Sequence, residues 1–598
     1  MCGFIGQISR NSIIRKNFEK SNQRIVCRGP DKKCNLFSSF QEQFNINEDF
    51  NIGLIFNRLS IIDLYSEFAN QPMVSKHQKS IVMFNGEIYN HNQLRKDLEN
   101  NGVKFQTKNS DSEVVFNGLS KFGISYIEKF VGQFAIFYLD AENMKIYLIR
   151  DRFGQKPLFY SISQGQVRFS SNLESLSDFT DKKVDATSLS HYINFGVVPS
   201  PSTIYKNIYK VKPSHYIEID LNNFKENQIK YWNIENYIGN SVFDDEVFHE
   251  KFSKAVKHRL VSDVPVANFL SGGLDSSSIV KKIFELETDS INTFTVGVKN
   301  KKYNEANWAK LVAEKYNTNH KEIFIDSQIK TSLVFDSLNA FDEPYSDPST
   351  IPTYIISKLI SDSFKVAISG DGGDELLGGY LRTRQVLKRL KINESLVDFS
   401  YGIYPPSLGS GQNLLSRSTN FIKSYSSYFE DLKLLELLNI KKEEDNYFYS
   451  TNYDLYKNLI LSDYNLYLPE MMMLKIDRAS MANSLEVRSP FVDHKLVEYV
   501  LSVDSKTFVN NPSKTILKKY MSQDFDEQFL NRKKQGFVFD LENWVFNNIN
   551  LIDDKFKDGG LIYSINSQIL RKLSRNKSRT NALRLWKLLV IENYLNRK

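Results

Sequence analysis

Two rhythms of apolar and polar residues divide the chain. Up to about residue 185 the apolar residues come in short runs separated by turns. Ser80-Ile81-Val82-Met83-Phe84 is one such run, stopped by Asn85-Gly86, a dipeptide that favours a hairpin turn. The runs 134–139 and 145–149 flank a turn at Asp140-Ala141-Glu142-Asn143 and predict an antiparallel pair. Helical spacing interrupts the strands at 92–99 and 111–122. From about residue 245, buried-looking runs alternate with helical periodicity. Strands are predicted at 264–270, 291–298 and 365–369, with helices at 276–286, 304–316 and 351–361. Such alternation implies a parallel sheet with crossovers. Val197-Val198-Pro199-Ser200-Pro201-Ser202-Thr203 reads as a connector, and 381–465 is polar, helical in places and otherwise uninformative.

Composition narrows the function classes. A length of 598 residues exceeds one ordinary core and predicts about two to four domains. The net charge of +7 is mild and nowhere concentrated, which argues against nucleic acid as a partner. The three cysteines, Cys2, Cys27 and Cys34, are odd in number and crowd the start, which argues for a reducing compartment and against a disulfide framework. No His/Cys cluster has zinc spacing, and no apolar run or leader points to a membrane or to export. A cytoplasmic protein is expected.

Three places carry candidate chemistry. The chain starts Met1-Cys2-Gly3-Phe4-Ile5-Gly6, so loss of one methionine leaves a thiol and an α-amine on the same residue. An α-amine ordinarily titrates near ~8 and a thiol near ~8.5, so the amine can take the thiol's proton and later return it, the logic of an amino-terminal nucleophile. The second place is Leu270-Ser271-Gly272-Gly273-Leu274-Asp275-Ser276-Ser277-Ser278, between a strand and a helix. Its glycines let backbone amides approach an anion, and the helix start adds positive potential. Asp275 would repel a bare phosphate, so a bridging Mg²⁺ is implied. The third is Ser369-Gly370-Asp371-Gly372-Gly373-Asp374-Glu375, after another strand of the same sheet. Both loops should open onto the crevice at the carboxyl ends of the strands, where a nucleotide triphosphate with Mg²⁺ would satisfy both.

On these motifs the chain resembles the glutamine-hydrolysing asparagine synthetase family, over nearly its whole length apart from 381–465. The resemblance is carried by Cys2-Gly3-Phe4-Ile5-Gly6, Arg28-Gly29-Pro30-Asp31, Arg58-Leu59-Ser60-Ile61-Ile62-Asp63, Asn85-Gly86-Glu87-Ile88-Tyr89-Asn90, Ser110-Asp111-Ser112-Glu113 and the two glycine-rich loops. Later motifs are Asp477-Arg478-Ala479-Ser480-Met481-Ala482, Glu486-Val487-Arg488-Ser489-Pro490-Phe491 and Arg532-Lys533-Lys534-Gln535-Gly536-Phe537. It implies a class-II glutaminase of the amino-terminal-nucleophile fold over 2–213, with antiparallel sheets sandwiched by helices. An α/β synthetase of the ATP pyrophosphatase type, with a parallel sheet, would follow over 236–598.

The implied glutamine pocket is Arg58, Leu59, Ile61, Asn85, Gly86, Glu87 and Asp111. Arg58 suits the glutamine carboxylate, Asp111 suits its ammonium, and Asn85 and Gly86 suit the oxyanion. The implied ATP site is Leu270, Ser271, Gly272, Gly273, Asp275, Ser276, Val296, Ser369 and Gly370. Asp275 and Asp374 would serve as magnesium ligands, with Asp371 and Lys534 at catalytic positions. Glu486 and Arg488 are expected to pair within a bend. The segment 342–349 would border the acceptor.

The sequence departs from the family at Cys27 and Phe56, where His is common. It also departs at Asp371, where some asparagine synthetases carry Glu and relatives that amidate uronic acids of surface polysaccharides share the Asp form. The implied activity makes asparagine from aspartate, glutamine and ATP through an acyl-AMP and channelled ammonia. Amidation of a sugar uronate by the same route is the alternative. The implied partners are small molecules, and the resemblance allows a homodimer.

Overall fold

The computed structural model describes residues 2–163, 165–287, 290–298, 305–325, 329–388, 391–444, 447–509, 514–532, 539–557 and 567–597. Two six-stranded antiparallel sheets build the amino-terminal half. The first runs in the order Tyr209–Lys210, Phe159–Ser163, Gln166–Ser170, Cys2–Ser9, Asn51–Arg58, Lys32–Ser39. The second runs Lys225–Lys230, His215–Asp220, Lys145–Arg150, Gly132–Asp140, Ser80–Ile88, Met73–Ser75.

The sheets face one another across a core that includes Phe4, Ile8, Leu54, Phe56, Met83, Phe137 and Phe169. The rings of Phe137 and Phe169 stack at 4.2 Å. Alternate residues point the other way. Ile5 and Ile55 meet Phe18 of the helix Arg15–Asn22, while Val82 and Phe84 meet the helices His91–Asn100 and Asp111–Phe122. Each sheet is therefore covered on both faces, which is why Ile81-Val82-Met83-Phe84 is apolar without a break. A Cβ on Gly6 would meet Phe169 at 2.2 Å, so glycine there lets the sheets close.

Two expectations are corrected. The strand Ser80–Ile88 continues through Asn85-Gly86, and Asn85 and Gly86 pair with Ala135 and Phe134, so the dipeptide makes no hairpin. Val197 and Val198, in the stretch read as a connector, are buried. The chain after them adds three more strands to the two sheets, the last ending at Lys230, beyond the expected boundary at 213.

The carboxy-terminal half holds a five-stranded parallel sheet in the order Asn319–Ile325, Asn292–Val298, Val266–Phe269, Val366–Ile368, Glu486–Arg488. Its apolar core includes Ala267, Phe294, Ile368 and Val487, packed against the helices Asp245–Arg259, Leu274–Glu285, Ala306–Lys315 and Thr350–Ser361. Glu486–Arg488 is a strand rather than the expected bend. A helix spans 455–481, and its middle, Asp463–Met473, winds wider around Pro469. The uninformative 381–465 stretch folds into short helices whose Tyr425, Phe448 and Leu459 pack with Phe195, Phe341 and Tyr345. No helix among the described residues is long and apolar enough to cross a membrane.

Candidate active site

The strand Cys2–Ser9 places Cys2 directly opposite Arg58, and Cys2 is buried. The Cys2 backbone N–H donates to Asn85 Oδ1 at 2.9 Å, while Asn85 Nδ2 has no partner among the described residues. A buried amide nitrogen without a partner is costly unless something arrives to accept from it. The Cys2 carbonyl accepts from Arg28 Nε at 3.3 Å. Burial raises the thiol pKa, opposed by the Leu59 backbone and the Arg58 guanidinium.

Arg58 donates to Asn70 Oδ1 at 3.2 Å and to the carbonyls of Ile62 and Asp63 at 3.1 and 2.7 Å, which fixes the guanidinium beside Cys2. Asp111 opens the helix Asp111–Phe122 and accepts from the Ile88 N–H at 3.2 Å; burial raises its pKa, with His91 opposing. Glu87 pairs with Arg488 at 3.0 Å through Oε2, while Oε1 has no partner among the described residues. Burial and then Asp111 lift the Glu87 pKa well above the usual range, with Arg488 opposing. Leu59 and Ile61 pack against Val366 and Met481, so the pocket wall is also the seam between the halves. Of the seven expected residues, Arg58 and Asn85 adjoin Cys2, Gly86 and Glu87 follow Asn85 on the same strand, Asp111 bonds that strand at Ile88, and Leu59 and Ile61 lie at the seam. Phe56 is fully buried between the two sheets, where a polar ring would lack partners.

The second cluster lies at the carboxyl ends of the parallel strands. Leu270 follows Val266–Phe269, Val296 lies on Asn292–Val298, and Ser369 and Gly370 follow Val366–Ile368. Gly272 has φ +72°, and a Cβ there would meet the Ala309 nitrogen at 2.6 Å. Ser271 Oγ accepts from the Gly273 N–H at 3.1 Å and lies 3.1 Å from Ser276 Oγ, so the serines tie the turn to the helix start. The two loops touch, because a Cβ on Gly370 would meet that of Asp275 at 3.0 Å. Asp275 and Asp374 converge on one cation, the ammonium of Lys514, which pairs with Asp275 and lies 2.6 Å from Asp374.

Lys514 went unseen in the sequence, and Lys534, expected at the catalytic position, lies outside the described residues with 533–538. Glu375 turns away from the pair and accepts from the Tyr380 hydroxyl at 2.7 Å; burial raises its pKa to about 7. Behind Asp371 stands buried Lys475. Burial lowers its pKa, but Asp371 and Asp347 more than offset that and hold the ammonium charged. Asp347 belongs to the segment expected to border the acceptor.

The donor set suits Mg²⁺ delivered with a nucleotide. Two carboxylates from two phosphate-type loops provide what this ion takes from protein when phosphate oxygens and water complete its shell. Among the described residues no group of three or more His, Cys, Asp or Glu would hold a metal alone.

Buried ion pairs join the amino-terminal half to the carboxy-terminal half. Arg28 grips Asp477 with both nitrogens, at 2.9 and 3.1 Å. Asp477 also lies 3.6 Å from Lys156 and 3.1 Å from Arg478, which pairs with Asp342 at 2.8 Å. Lys210 pairs with Glu343 at 2.7 Å and lies 3.5 Å from Glu470.

Residues 248–596 match the family model for asparagine synthase, and residues 1–232 match that for a glutamine amidotransferase domain. The chain is similar to asparagine synthetase (glutamine-hydrolysing) 1 of Bacillus subtilis strain 168, 29% identical over 99% of this chain and 96% of that protein. It is also similar to putative asparagine synthetase (glutamine-hydrolysing) 2 of Methanocaldococcus jannaschii, 31% identical over 64% of this chain and 76% of that protein. A solved structure of the allosteric regulatory enzyme of purine biosynthesis aligns over 54% of this chain and 80% of its own at 13% identity, with a TM-score of 0.30.

Proposed function

The chain belongs to the asparagine synthase family, with a glutamine amidotransferase domain at its amino end, and from that premise we propose that it transfers the amide nitrogen of glutamine to aspartate. Glutamine-dependent ligase chemistry is the family's. The assignment of residues to steps and the choice of acceptor are inferences from the sites.

Once Met1 is removed, the Cys2 amine, oriented by Asn85 Oδ1, takes the thiol proton. The thiolate attacks the glutamine side-chain carbonyl. Asn85 Nδ2 and the Gly86 N–H stabilise the oxyanion, and ammonia leaves a thioester that water hydrolyses to glutamate. Arg58 holds the substrate carboxylate, and Asp111 with the unengaged Glu87 Oε1 holds its ammonium.

In the cleft an acceptor carboxylate attacks the α-phosphorus of ATP, forming the acyl-AMP and releasing pyrophosphate. Ammonia then attacks the acyl carbon, and AMP leaves. Asp275 and Asp374 would hold Mg²⁺, which would supply positive charge against the pyrophosphate. Lys514 supplies a fixed positive charge beside the same phosphates, and Lys475 with Asp371 faces the acceptor. Ammonia must cross without meeting bulk water, where it would be protonated, so the seam between the halves is its route.

The observation that supports this reading is the bonding of the Cys2 region to the carboxy-terminal half. Arg28 bonds the carbonyl of the nucleophile and, bidentately, Asp477 of the other half. The discriminating experiment offers aspartate and UDP-linked uronates in parallel, with glutamine and ATP, and identifies the amidated product by mass. Asp371, one methylene shorter than Glu, is the feature that favours the uronate arm. Asparagine with AMP supports the proposal; an amidated uronate with no asparagine replaces its acceptor. Cys2→Ala should lose glutamine-dependent turnover and keep turnover with ammonium. ADP as the product, or Met1 retained in active protein, would overturn the mechanism.

A further inference from the structure

The three-residue strand Glu486–Arg488 touches both sites. On its side-chain face Arg488, fully buried, donates to Glu87 Oε2 at 3.0 Å and to Glu486 Oε1 at 2.6 Å. Its remaining bonds run to the carbonyls of Arg259 and Val261, at 3.1 and 2.6 Å. Glu486 also accepts from Gln133 of the amino-terminal half at 3.3 Å. On its backbone face Arg488 pairs with Ile368, and its carbonyl accepts from the Ser369 N–H at 2.9 Å, where the second glycine-rich loop begins. The next residue, Ser489, donates its hydroxyl to the Asp371 carbonyl. Two glycines further along that loop are pressed against the same segment. A Cβ on Gly372 would meet Val492 at 2.5 Å, and one on Gly373 would meet Phe491 at 3.2 Å.

We propose that this strand is a shared wall of the two sites. Arg488 is the positioning residue for Glu87 in the glutamine pocket, and nucleotide in the synthetase cleft tightens glutamine binding through it. The inference rests on the reading of Cys2 as a glutaminase nucleophile. Close-packed interiors transmit displacement because they have no slack to absorb it. Here the loop that would close on nucleotide hangs on the Arg488 carbonyl and the Ser489 hydroxyl. The guanidinium of the same residue holds one oxygen of Glu87 and leaves the other without a partner among the described residues, open to the glutamine ammonium under the proposed reading. A shift of the loop therefore reaches Glu87 through one side chain.

The test is glutaminase initial rates against glutamine concentration, with and without saturating Mg-ATP. In the wild type, KM for glutamine should fall about fivefold with nucleotide, the scale of an ordinary coupling. Ser489→Ala removes one hydroxyl outside both pockets. It should keep the nucleotide-free KM and kcat and lose most of that fall. Arg488→Lys keeps the charge but not the fork, and should raise KM roughly tenfold with kcat held within about twofold. Wild-type hydrolysis whose KM ignores Mg-ATP would overturn the proposal alone, as would a Ser489→Ala response equal to wild type. Absence of hydrolysis in the wild type would overturn the glutaminase reading along with it.

Discussion

A buried thiol is a poor nucleophile until a base takes its proton, and burial raises the Cys2 pKa. In the proposed mechanism that base is the Cys2 amine, whose nitrogen bonds the Asn85 oxygen, and the Asn85 nitrogen, without a partner among the described residues, is assigned to the oxyanion. Asn85→Ala should therefore lower the glutaminase kcat by about 10²–10³ and leave ammonia-supported AMP formation intact; equal losses in both assays would deny Asn85 the role. A second residue-scale outcome concerns Glu343, whose pKa burial lifts to about 7 with Lys210 opposing. The unfolded chain releases that proton near 4.5, so between the two values the folded state binds the extra proton. Stability from this group is thus fullest below about pH 4.5 and falls as pH rises to about 7, by on the order of 3 kcal/mol. Glu343→Gln should narrow the difference in urea midpoint between pH 5 and pH 8; a difference as wide as in wild type would assign the fall to other groups. Lys514 shows what sequence conceals at this scale. Nothing in Asn511-Pro512-Ser513-Lys514 marks it, because its role comes from carboxylates 239 residues and 140 residues earlier in the chain.

Elements explain where the hydrophobic pattern was readable. The edge strand Asn319–Ile325, with Lys321 and Phe324 exposed, was not predicted, whereas Val266–Phe269, Asn292–Val298 and Val366–Ile368 were legible because they are mostly buried and the helices beside them each have one apolar stripe. The strand Glu486–Arg488 was not. It is three residues long, and two of them are charged, their charges met by each other and by the far half rather than by water. Asn85-Gly86 misled in the opposite direction. Its turn propensity is overridden by nine paired residues of Ser80–Ile88, and Gly86 is needed because a Cβ would meet the Gln133 carbonyl at 2.0 Å. The first phosphate-type loop was legible from its glycines, and it offers the element-scale prediction. Gly272→Ala puts a Cβ at φ +72° against the Ala309 nitrogen, so ammonia-dependent pyrophosphate release should fall by at least tenfold while glutaminase activity stays. Loss of both activities together would mean that the fold, and not the loop, had failed.

At the scale of the whole molecule the two halves meet through charges that neither could bury alone. Burial would raise the Asp477 carboxyl, but Arg28, Lys156 and Arg478 hold it well below the usual carboxylate range. Asp477→Asn leaves those cations crowded in the interior, and removing one partner of such a network typically costs about 3–5 kcal/mol. The expected outcome is a lower unfolding midpoint together with a lower glutaminase kcat, since Arg28 also steadies the Cys2 carbonyl. An unchanged midpoint would show that the seam is wet and the pairs weak. The pairs Arg28–Asp477 and Glu87–Arg488 also limit how such a protein can be taken apart. An amino-terminal fragment expressed by itself, or spliced onto a foreign partner, would carry orphaned charges on the face that shapes its own reaction centre. Exchange between relatives should succeed only for chimaeras that inherit both banks of the seam, which makes the two halves a single heritable unit despite their unrelated folds.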